Sequence, residues 1–457
     1  MNTLLALTGV AVLTMISEML RYRKAVYPII IGGLAVAFGL AVYAWGNPSD
    51  QFRSMIYFDN YAIVFSALIV MTTLLWFILS GHFIRSSVHA ADYSALIIFS
   101  LAGGVVMVSY TNLTMLFLGI EILSVSMYVM SASNKTELRS NEAGFKYFIM
   151  GAFATGFLLF GMALIYGVTG SFSLEEISAF ASANQGKIPM LFYSGILLLI
   201  TGLGFKVSAV PFHYWAPDVY EGAPSPVTGF MSTVVKTAAF AALLRLFENS
   251  FATLSDWWVP VMAVLSAATM LTGNITALYQ VSIKRLMAYS SIAHAGYMLL
   301  AVVAVSVLSA SALFIYAVAY SVASLGVFAL IIPMTNNKNE TIGSLHGFAK
   351  THPRKALFLS VCLLSLAGIP PVAGFFGKYY TFVAALQEGH LLLVLLAVIS
   401  SVIGVYYYFS IIIAMYKPSD NESVAIIFNN NEELMLWIAF LVTLAIGMAP
   451  GFLIGLI

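Results

Sequence analysis

The chain has 457 residues, of which 61% are hydrophobic and 9% are charged, and its formal net charge is +1. Soluble globular proteins carry roughly 25% charged residues, so the composition indicates a protein with many membrane-spanning helices. The net charge near zero gives no support for binding of nucleic acid. The single cysteine, Cys362, excludes a disulfide within the chain and any metal cluster held by several cysteines.

Apolar runs long enough to cross a bilayer, about 20 residues each, predict an all-α integral membrane protein with about 14 transmembrane helices. The first run follows no basic segment, which favours a transmembrane helix over a signal peptide. The predicted helices are 2–20, 26–45, 58–80, 92–110, 112–132, 144–169, 190–212, 224–247, 257–279, 284–305, 309–333, 356–386, 390–416 and 433–456.

The basic residues between the helices predict the orientation of the chain. Loops that follow odd-numbered helices, with their edges, hold thirteen Lys and Arg residues, whereas those that follow even-numbered helices hold only Arg53, Lys187 and Arg245. The thirteen are Arg21, Arg23, Lys24, Arg85, Lys135, Arg139, Lys284, Arg285, Lys338, Lys350, Arg354, Lys355 and Lys417. Cytoplasmic loops are enriched in Lys and Arg. The odd-numbered loops are therefore predicted to be cytoplasmic, and both termini are predicted to be external.

Two predicted helices are broken by proline. In the seventh, Lys206 precedes Pro211, which lacks a backbone N–H and opposes the helix. In the twelfth, Pro370 and Pro371 interrupt the apolar run, and Lys378 follows. Irregular backbone inside a membrane is tolerated only against protein or water, so both breaks indicate an ion path.

The spacing of the two breaks predicts an internal repeat. They lie five helices apart, which suggests one five-helix repeat over 92–247 (helices 4–8) and a second over 257–416 (helices 9–13). Because each repeat has an odd number of helices, the second copy must be inverted in the membrane. Inverted repeats with broken helices are a common way for transporters to build a site at the midplane.

Five charged side chains fall inside predicted spans: Glu121, Lys146, Lys206, Lys236 and Lys378. One charge at a helix centre costs roughly 2.5–3.5 kcal/mol on insertion scales, so these residues are expected to pair or to line a hydrated path. We predict an ion pair between Glu121 and Lys206, across helices 5 and 7. For the three other lysines the alternative is that the side chain reaches to the membrane edge.

Two histidines have polar surroundings that suit proton transfer. His294 lies halfway along the tenth helix among serines and tyrosines, and a reference pKa near 6.5 lets imidazole exchange a proton at neutral pH. The alternative is a buried histidine with satisfied hydrogen bonds. His213 lies beside Pro211, where proton uptake and capping of the loop are equally compatible with the sequence.

Three long stretches carry a resemblance to a known family. PFHYWAPDVYEGAPSPVTGF (211–230), KRLMAYSSIAHAGYM (284–298) and SLAGIPPVAGFFGKYY (365–380) resemble the antiporter-like membrane subunits of respiratory complex I. The string DVYEGAPSPV differs from what the related Mrp cation/proton antiporters typically carry. The resemblance implies roles in proton transfer for Glu121, Lys146, Lys206, Lys236, His294 and Lys378.

The resemblance also implies an assembly. The chain is expected to be a proton-translocating subunit of NADH–quinone oxidoreductase in a bacterial inner membrane, with protons, internal water, lipid and neighbouring membrane-arm subunits as partners. NADH, FMN, iron–sulfur clusters and quinone are expected in other subunits, and no cofactor or metal is expected in this chain. The alternatives are an Mrp-type cation/proton antiporter subunit, a stand-alone solute carrier, and a purely structural subunit.

Overall fold

The computed structural model describes residues 1–48, 52, 54–336, 340–418 and 426–457. Helices make up 81% of the structure. Within the described residues there is no β-strand, only isolated bridges such as that between Asn112 and Ser173. Arg53 and Lys338, two of the basic residues used above to predict orientation, lie outside the described ranges. The prediction of an all-α membrane protein is confirmed.

The helices, in chain order, are α1 (Asn2–Met19), α2 (Arg23–Tyr43), α3 (Asn60–Leu79), α4 (Gly81–Ser86), α5 (Ala90–Ser109), α6 (Leu113–Ser131), α7 (Leu138–Thr169), α8 (Leu174–Ala183), α9 (Met190–Val207), α10 (Trp215–Gly222), α11 (Ser225–Phe230), α12 (Lys236–Ser250), α13 (Ser255–Ala277), α14 (Ile283–Ala304), α15 (Ser309–Asn336), α16 (Phe348–Thr351), α17 (Pro353–Ala367), α18 (Ala373–Gln387), α19 (Leu391–Tyr416), α20 (Asn430–Met448) and α21 (Gly451–Ile454).

Thirteen segments within the described ranges are long and apolar enough to cross a membrane unbroken. One of them combines α11, a π-helical turn over Met231–Val235 and α12. The twelfth predicted helix is absent from this set because its break divides it into α17 and α18, each of 15 residues. Counted together, those two halves give the fourteenth span that the sequence predicts.

Polar side chains set several helix boundaries. The Asp59 carboxylate accepts a hydrogen bond from the backbone N–H of Ala62 at 2.8 Å, and Asn112 accepts from Thr114 at 2.9 Å. Such caps satisfy backbone donors that the first turn of a helix leaves free. At the other end of a helix, Gly170 closes the 32-residue α7 in the left-handed conformation, with φ of 71°.

The first break separates α9 from α10. Helix α9 ends at Ser208, which is left-handed (φ 61°), and Pro211 lies in the irregular stretch that follows. The Trp215 indole donates to the carbonyl of Phe205 at 3.0 Å, and the Val210 N–H donates to the Thr269 hydroxyl at 2.9 Å. Groups that the break removes from the helical ladder are thus satisfied by protein, as membrane depth requires.

The second break separates α17 from α18. Helix α17 ends at Gly368, whose φ is 81°, and Pro370 and Pro371 follow. The Lys378 ammonium reaches back and donates to the carbonyl of Ala367 at 2.7 Å. A cation at a helix C-terminus is favourable because the last carbonyls are unpaired and carry partial negative charge.

The most buried spans form the interior of the protein. The segment from α11 to α12 is 100% buried within its most apolar window, and α14 and α15 are each 94% buried. By contrast, α7 and α19 expose large apolar side chains such as Phe153 and Val402. The predicted functional residues on α12 and α14 are therefore held within protein rather than against lipid.

Candidate functional site

Four basic side chains are buried inside the bundle. The exposed fractions are 4% for Lys206, 2% for Lys236, 4% for His294 and 6% for Lys378. Lys236 and Lys378 are enclosed by protein, which argues against the alternative of a side chain that reaches to the membrane edge. A buried charge is retained only where polar groups replace its hydration, so the partners of each residue define the site.

Lys206 lies in the last turn of α9 and points to α6. Its ammonium donates to the Ser124 hydroxyl at 2.5 Å and lies 3.5 Å from the Tyr128 hydroxyl. The ring centroids of Tyr128 and Tyr147 are 5.4 Å and 5.7 Å from the ammonium, within the range of cation–π attraction. Lys206 is therefore held by hydroxyl groups and aromatic rings.

The predicted Glu121–Lys206 ion pair is not formed in the structure. Glu121 is half-buried and accepts a hydrogen bond from the Thr155 hydroxyl of α7 at 2.8 Å. Ser124 lies one helical turn after Glu121 on the same face of α6 and occupies the position beside the ammonium. Glu121 and Lys206 are therefore bound by Thr155 and Ser124, respectively, rather than by each other.

Lys236 follows directly after the π-helical turn and begins α12. Its ammonium donates to the backbone carbonyl of Ser291 at 2.7 Å and also to the hydroxyl of the same serine. The Tyr320 hydroxyl donates to this serine hydroxyl at 2.9 Å. Single-turn π-helices are frequent at functional sites. The one residue Ser291 thus connects α12, α14 and α15.

His294 is held by tyrosines on both sides of its ring. Its Nδ1 is 2.7 Å from the Tyr316 hydroxyl, and its Nε2 is 3.0 Å from the Tyr408 hydroxyl. A neutral imidazole donates from one nitrogen and accepts at the other, so the two tyrosines have opposite roles. Tyr408 is in turn hydrogen-bonded to Ser290, and the ring of Tyr320 lies 4.8 Å from that of His294.

A small cavity of about 10 Å³ adjoins His294, Tyr316, Tyr320 and Ser365. That volume matches the lower limit for one water molecule, about 10–15 Å³. Hydroxyl groups and an imidazole supply the polar partners that a buried water needs. The cavity lies between the part of the site around Lys236 and the break that precedes α18.

Lys378 completes this group. Besides the Ala367 carbonyl, its ammonium donates to the Ser401 hydroxyl at 2.9 Å and lies 4.9 Å from the centroid of the Tyr297 ring. The Tyr297 hydroxyl accepts from Asn274 at 2.9 Å, and Asn274 accepts from Tyr407 at 2.9 Å. A buried polar network on α13, α14 and α19 thus lies beside the lysine.

The structure brings together only part of the predicted set. Lys236, His294 and Lys378 share one continuous group of hydroxyl and aromatic side chains. Among the described residues, no chain of hydrogen bonds connects Lys206 to this group. Lys146 is separate from both: its side chain is 39% exposed, and it pairs with Glu142 at 2.7 Å and Asp218 at 2.8 Å.

The first break and α10 hold polar residues whose contacts could not be found from the sequence. Asp218 and Glu221 on α10 both bind Arg285 of α14, at 2.9 Å and 2.8 Å. His213 is buried in the first break, and its Nδ1 has no hydrogen-bond partner among the described side chains. Asp218 and Glu221 stand in the broken stretch and could have been noticed there. Their partner Arg285 could not, because it is distant in sequence.

Two basic residues used above to predict orientation are buried, contrary to their placement in loops or at loop edges. Arg245 is 4% exposed and makes a paired contact with Asp59, with both nitrogen–oxygen distances at 3.0 Å. Lys284 is 3% exposed and donates to the Ala223 carbonyl at 2.7 Å. Both form part of the interior because backbone carbonyls or a carboxylate satisfy their charge.

A large vestibule opens beside the first break. Its volume is about 980 Å³, and its lining includes Glu221, Pro226 and Lys284. The other lining groups come mainly from loops that follow odd-numbered spans, including His82 and Arg139. The vestibule therefore leads from that face of the protein towards α11, which precedes Lys236.

The family described as NADH:quinone oxidoreductase/Mrp antiporter, TM, matches residues 111–404. The chain belongs to this family. It is 40% identical over 462 residues to a Flavobacterium johnsoniae protein named NADH-quinone oxidoreductase subunit N, with 99% of this chain and 98% of the relative covered. The name agrees with the resemblance to complex I subunits, and with the string DVYEGAPSPV, which differs from what Mrp antiporters typically carry.

Solved structures of the family share the fold. A chain of respiratory complex I from Thermus thermophilus is 31% identical, with a TM-score of 0.85 and coverage of 99% of this chain and 98% of that chain. A chain of the Mrp complex from Dietzia sp. has a TM-score of 0.88 at 20% identity, covering 99% and 95%. The fold is common to both branches, and sequence identity is higher to the complex I chain.

Proposed function

We propose that this chain is a proton-translocating membrane subunit of NADH–quinone oxidoreductase. The observation that carries the proposal is the buried group of Lys236, His294 and Lys378, in which each ionisable residue contacts at least one hydroxyl side chain and these hydroxyls come from three spans, α14, α15 and α19. A chain that served only as a membrane anchor would not need three buried ionisable residues at membrane depth, since placing each one there costs free energy. Residues of this kind are typical of proton relays.

The proposed route begins at the vestibule and ends beyond the second break. A proton is taken up near α10 and α11 and is held at Lys236. It then passes along Ser291, Tyr320 and His294, with one water in the adjoining cavity, to Lys378. Release to the opposite side follows when the state of Lys206 and Glu121 changes, because these two charges act on the field in which the route lies.

The cost of moving a proton against the membrane potential is similar in size to the contribution of one hydrogen bond to a charged group. Moving one charge against 100 mV costs about 2.3 kcal/mol. A hydrogen bond to a charged group contributes about 1.5–3 kcal/mol, and Lys378 makes two. Loss or gain of one such contact therefore supplies a step of the size that translocation needs. This is why a lysine bound by neutral groups suits the task better than one locked in a salt bridge.

We further propose that residues 92–247 and 257–416 are inverted repeats. The packing of the helices supports this division. Helix α5 packs on α6 and α12, and α13 packs on α14 and α19, as expected when corresponding helices lie five spans apart. Both candidate repeats also contain one broken helix with a buried lysine at the break.

The assembly and its location follow from the same proposal. Neighbouring membrane-arm subunits would flank the chain in a bacterial inner membrane, with the odd-numbered loops cytoplasmic and both termini periplasmic. NADH, FMN, the iron–sulfur clusters and quinone would be bound by other subunits. Within the described residues, no group of three or more His, Cys, Asp or Glu side chains could hold a metal ion.

The alternative function is that of a cation/proton antiporter subunit of the Mrp type, because a chain of an Mrp complex has the same fold. The two functions differ in their dependence on sodium. Coupled electron transfer predicts NADH-driven acidification of vesicles without added sodium. An antiporter predicts sodium-dependent exchange in the absence of NADH.

The decisive experiment uses inverted membrane vesicles that contain the assembled complex. NADH-to-quinone electron transfer and proton uptake would be followed together in Lys236→Ala, Lys206→Ala and a control, Lys187→Ala, whose side chain is exposed. We expect both activities to fall in the first two variants and to stay unchanged in the control. Normal pumping and turnover in both buried-lysine variants would contradict the proposal.

A further inference from the structure

A pocket distinct from the proposed proton route lies where α17 and α20 begin. Its volume is about 280 Å³. One wall is basic and consists of Arg354 and Lys355, and the other consists of Phe358, Leu436 and Trp437. Both helices belong to membrane spans, so the pocket lies at the edge of the membrane, where polar headgroups meet the hydrocarbon.

The basic wall carries one charge that the protein does not neutralise, that of Arg354, whereas Lys355 is paired with Glu433, which also lines the pocket. Lys355 is 17% exposed, 3.3 Å from the Glu433 carboxylate and 4.3 Å from the Phe428 ring. Arg354 is exposed and makes no hydrogen bond or ion pair with any described residue. Burial and the nearby Lys355 lower the pKa of His352 in the same pocket.

The remaining wall is suited to lipid rather than to a free anion. Trp437 is 41% exposed, and tryptophan is enriched at the membrane–water interface. Outside the pocket, Leu357 and Leu434 are 51% and 49% exposed, on the same two spans. An occupant whose anionic end lies beside Arg354 would therefore have an apolar surface for its remaining part.

We propose that this pocket binds the headgroup of an anionic phospholipid. Arg354 would contact the phosphate through its planar set of donors, and Lys355 would offset the negative charge of Glu433 in the same pocket. The acyl chains would lie against Leu357 and Leu434. Basic pockets between spans on the cytoplasmic side are known sites for anionic headgroups. The site does not depend on the proton route proposed above.

The test uses the membrane-embedded protein, with the subunits that copurify, in nanodiscs. A photoactivatable phosphatidylglycerol would be crosslinked, and labelling of peptides from α17 and α20 would be measured by mass spectrometry. The double variant Arg354→Gln/Lys355→Gln is expected to lower labelling by roughly 30-fold, taking about one kcal/mol for each basic residue near the surface. The control Lys350→Gln removes a neighbouring exposed charge outside the pocket and should leave labelling unchanged.

Three outcomes would overturn the proposal. Labelling could be unaffected by the double variant, or a phosphatidylcholine probe could label the same peptides equally well. Alternatively, millimolar inorganic phosphate could abolish labelling, which would indicate a site for free phosphate. If the double variant does not assemble, Arg354→Gln and Arg354→Lys serve instead. Labelling should fall in the first and persist in the second, and equal labelling would contradict the proposal.

Discussion

Ser291 is the residue whose loss should most directly disturb the proposed route. Its hydroxyl accepts hydrogen bonds from both Lys236 and Tyr320, while its carbonyl accepts a further bond from Lys236 at 2.7 Å. The substitution Ser291→Ala removes the hydroxyl and leaves the carbonyl. It therefore tests the connection between the lysine and the tyrosine without removing either ionisable group.

The size of the effect follows from the bonds that are lost. A hydrogen bond from a charged donor contributes about 1.5–3 kcal/mol, and the remaining carbonyl and relaxation of the site recover part of it. A net loss of about 2 kcal/mol for protonated Lys236 corresponds to about 1.5 pH units. The lysine would then hold its proton less tightly, so activity should be lost first on the alkaline side of the pH profile.

The assay is NADH-driven proton uptake by vesicles, measured together with quinone reduction as a function of pH. The matched control is Ser321→Ala, which removes an equally buried hydroxyl that lies 3.4 Å from Thr237 and contacts no ionisable residue of the route. We expect the alkaline limb of the profile to shift to lower pH in Ser291→Ala only. An unshifted profile would refute the assignment of Ser291 to the route.

Two further predictions concern assembly. Gly368→Ala places a Cβ 2.7 Å from Lys378 Cδ at a φ of 81°, whereas Gly389→Ala has a similar φ of 83° and nothing within 4 Å. Both substitutions should lower stability by about 1–2 kcal/mol, because alanine disfavours a left-handed backbone. Only Gly368→Ala should also impair proton pumping, because only its Cβ meets Lys378. Arg245→Met leaves the half-buried Asp59 carboxylate without its cation. Removing one partner of a fully buried ion pair lowers stability by about 3–5 kcal/mol, and the loss should be smaller here because Asp59 is partly exposed. We expect a lower yield of the assembled complex in native gels, and an unchanged yield would contradict this reasoning.

The sequence predicts the spans well because the signal is simple. A run of about 20 apolar residues has few alternatives to a transmembrane helix, and prolines 211, 370 and 371 mark the breaks. Helix α8 was not predicted, because a 10-residue amphipathic segment outside the membrane lacks such a signal. Residues 215–222 lie between two predicted spans but form α10, since a composition rich in proline and charge does not exclude a short helix.

The sequence singles out the ionisable residues of the candidate site but does not show which side chains contact them. Lys236, His294 and Lys378 stand out because charge inside an apolar run is rare. Ser291, Tyr316 and similar hydroxyl residues are common in membrane helices, so only the fold shows which of them contact the ionisable groups. The Glu121–Lys206 pair was wrong as a direct contact, because the sequence could not show that Ser124 would lie beside the ammonium.

The separation of Lys206 from the group around Lys236 determines how the two can communicate. Among the described residues, one connection runs through the first break: α10 follows the break after Lys206, and its Asp218 and Glu221 hold Arg285 at the start of α14. The same helix α14 carries Ser291 and His294. A movement of α10 that accompanies a new state of Lys206 must therefore either break the bonds of Arg285 or move α14 with it. In the second case the hydrogen bonds of the relay change directly, and coupling between the two lysines needs no contact between them.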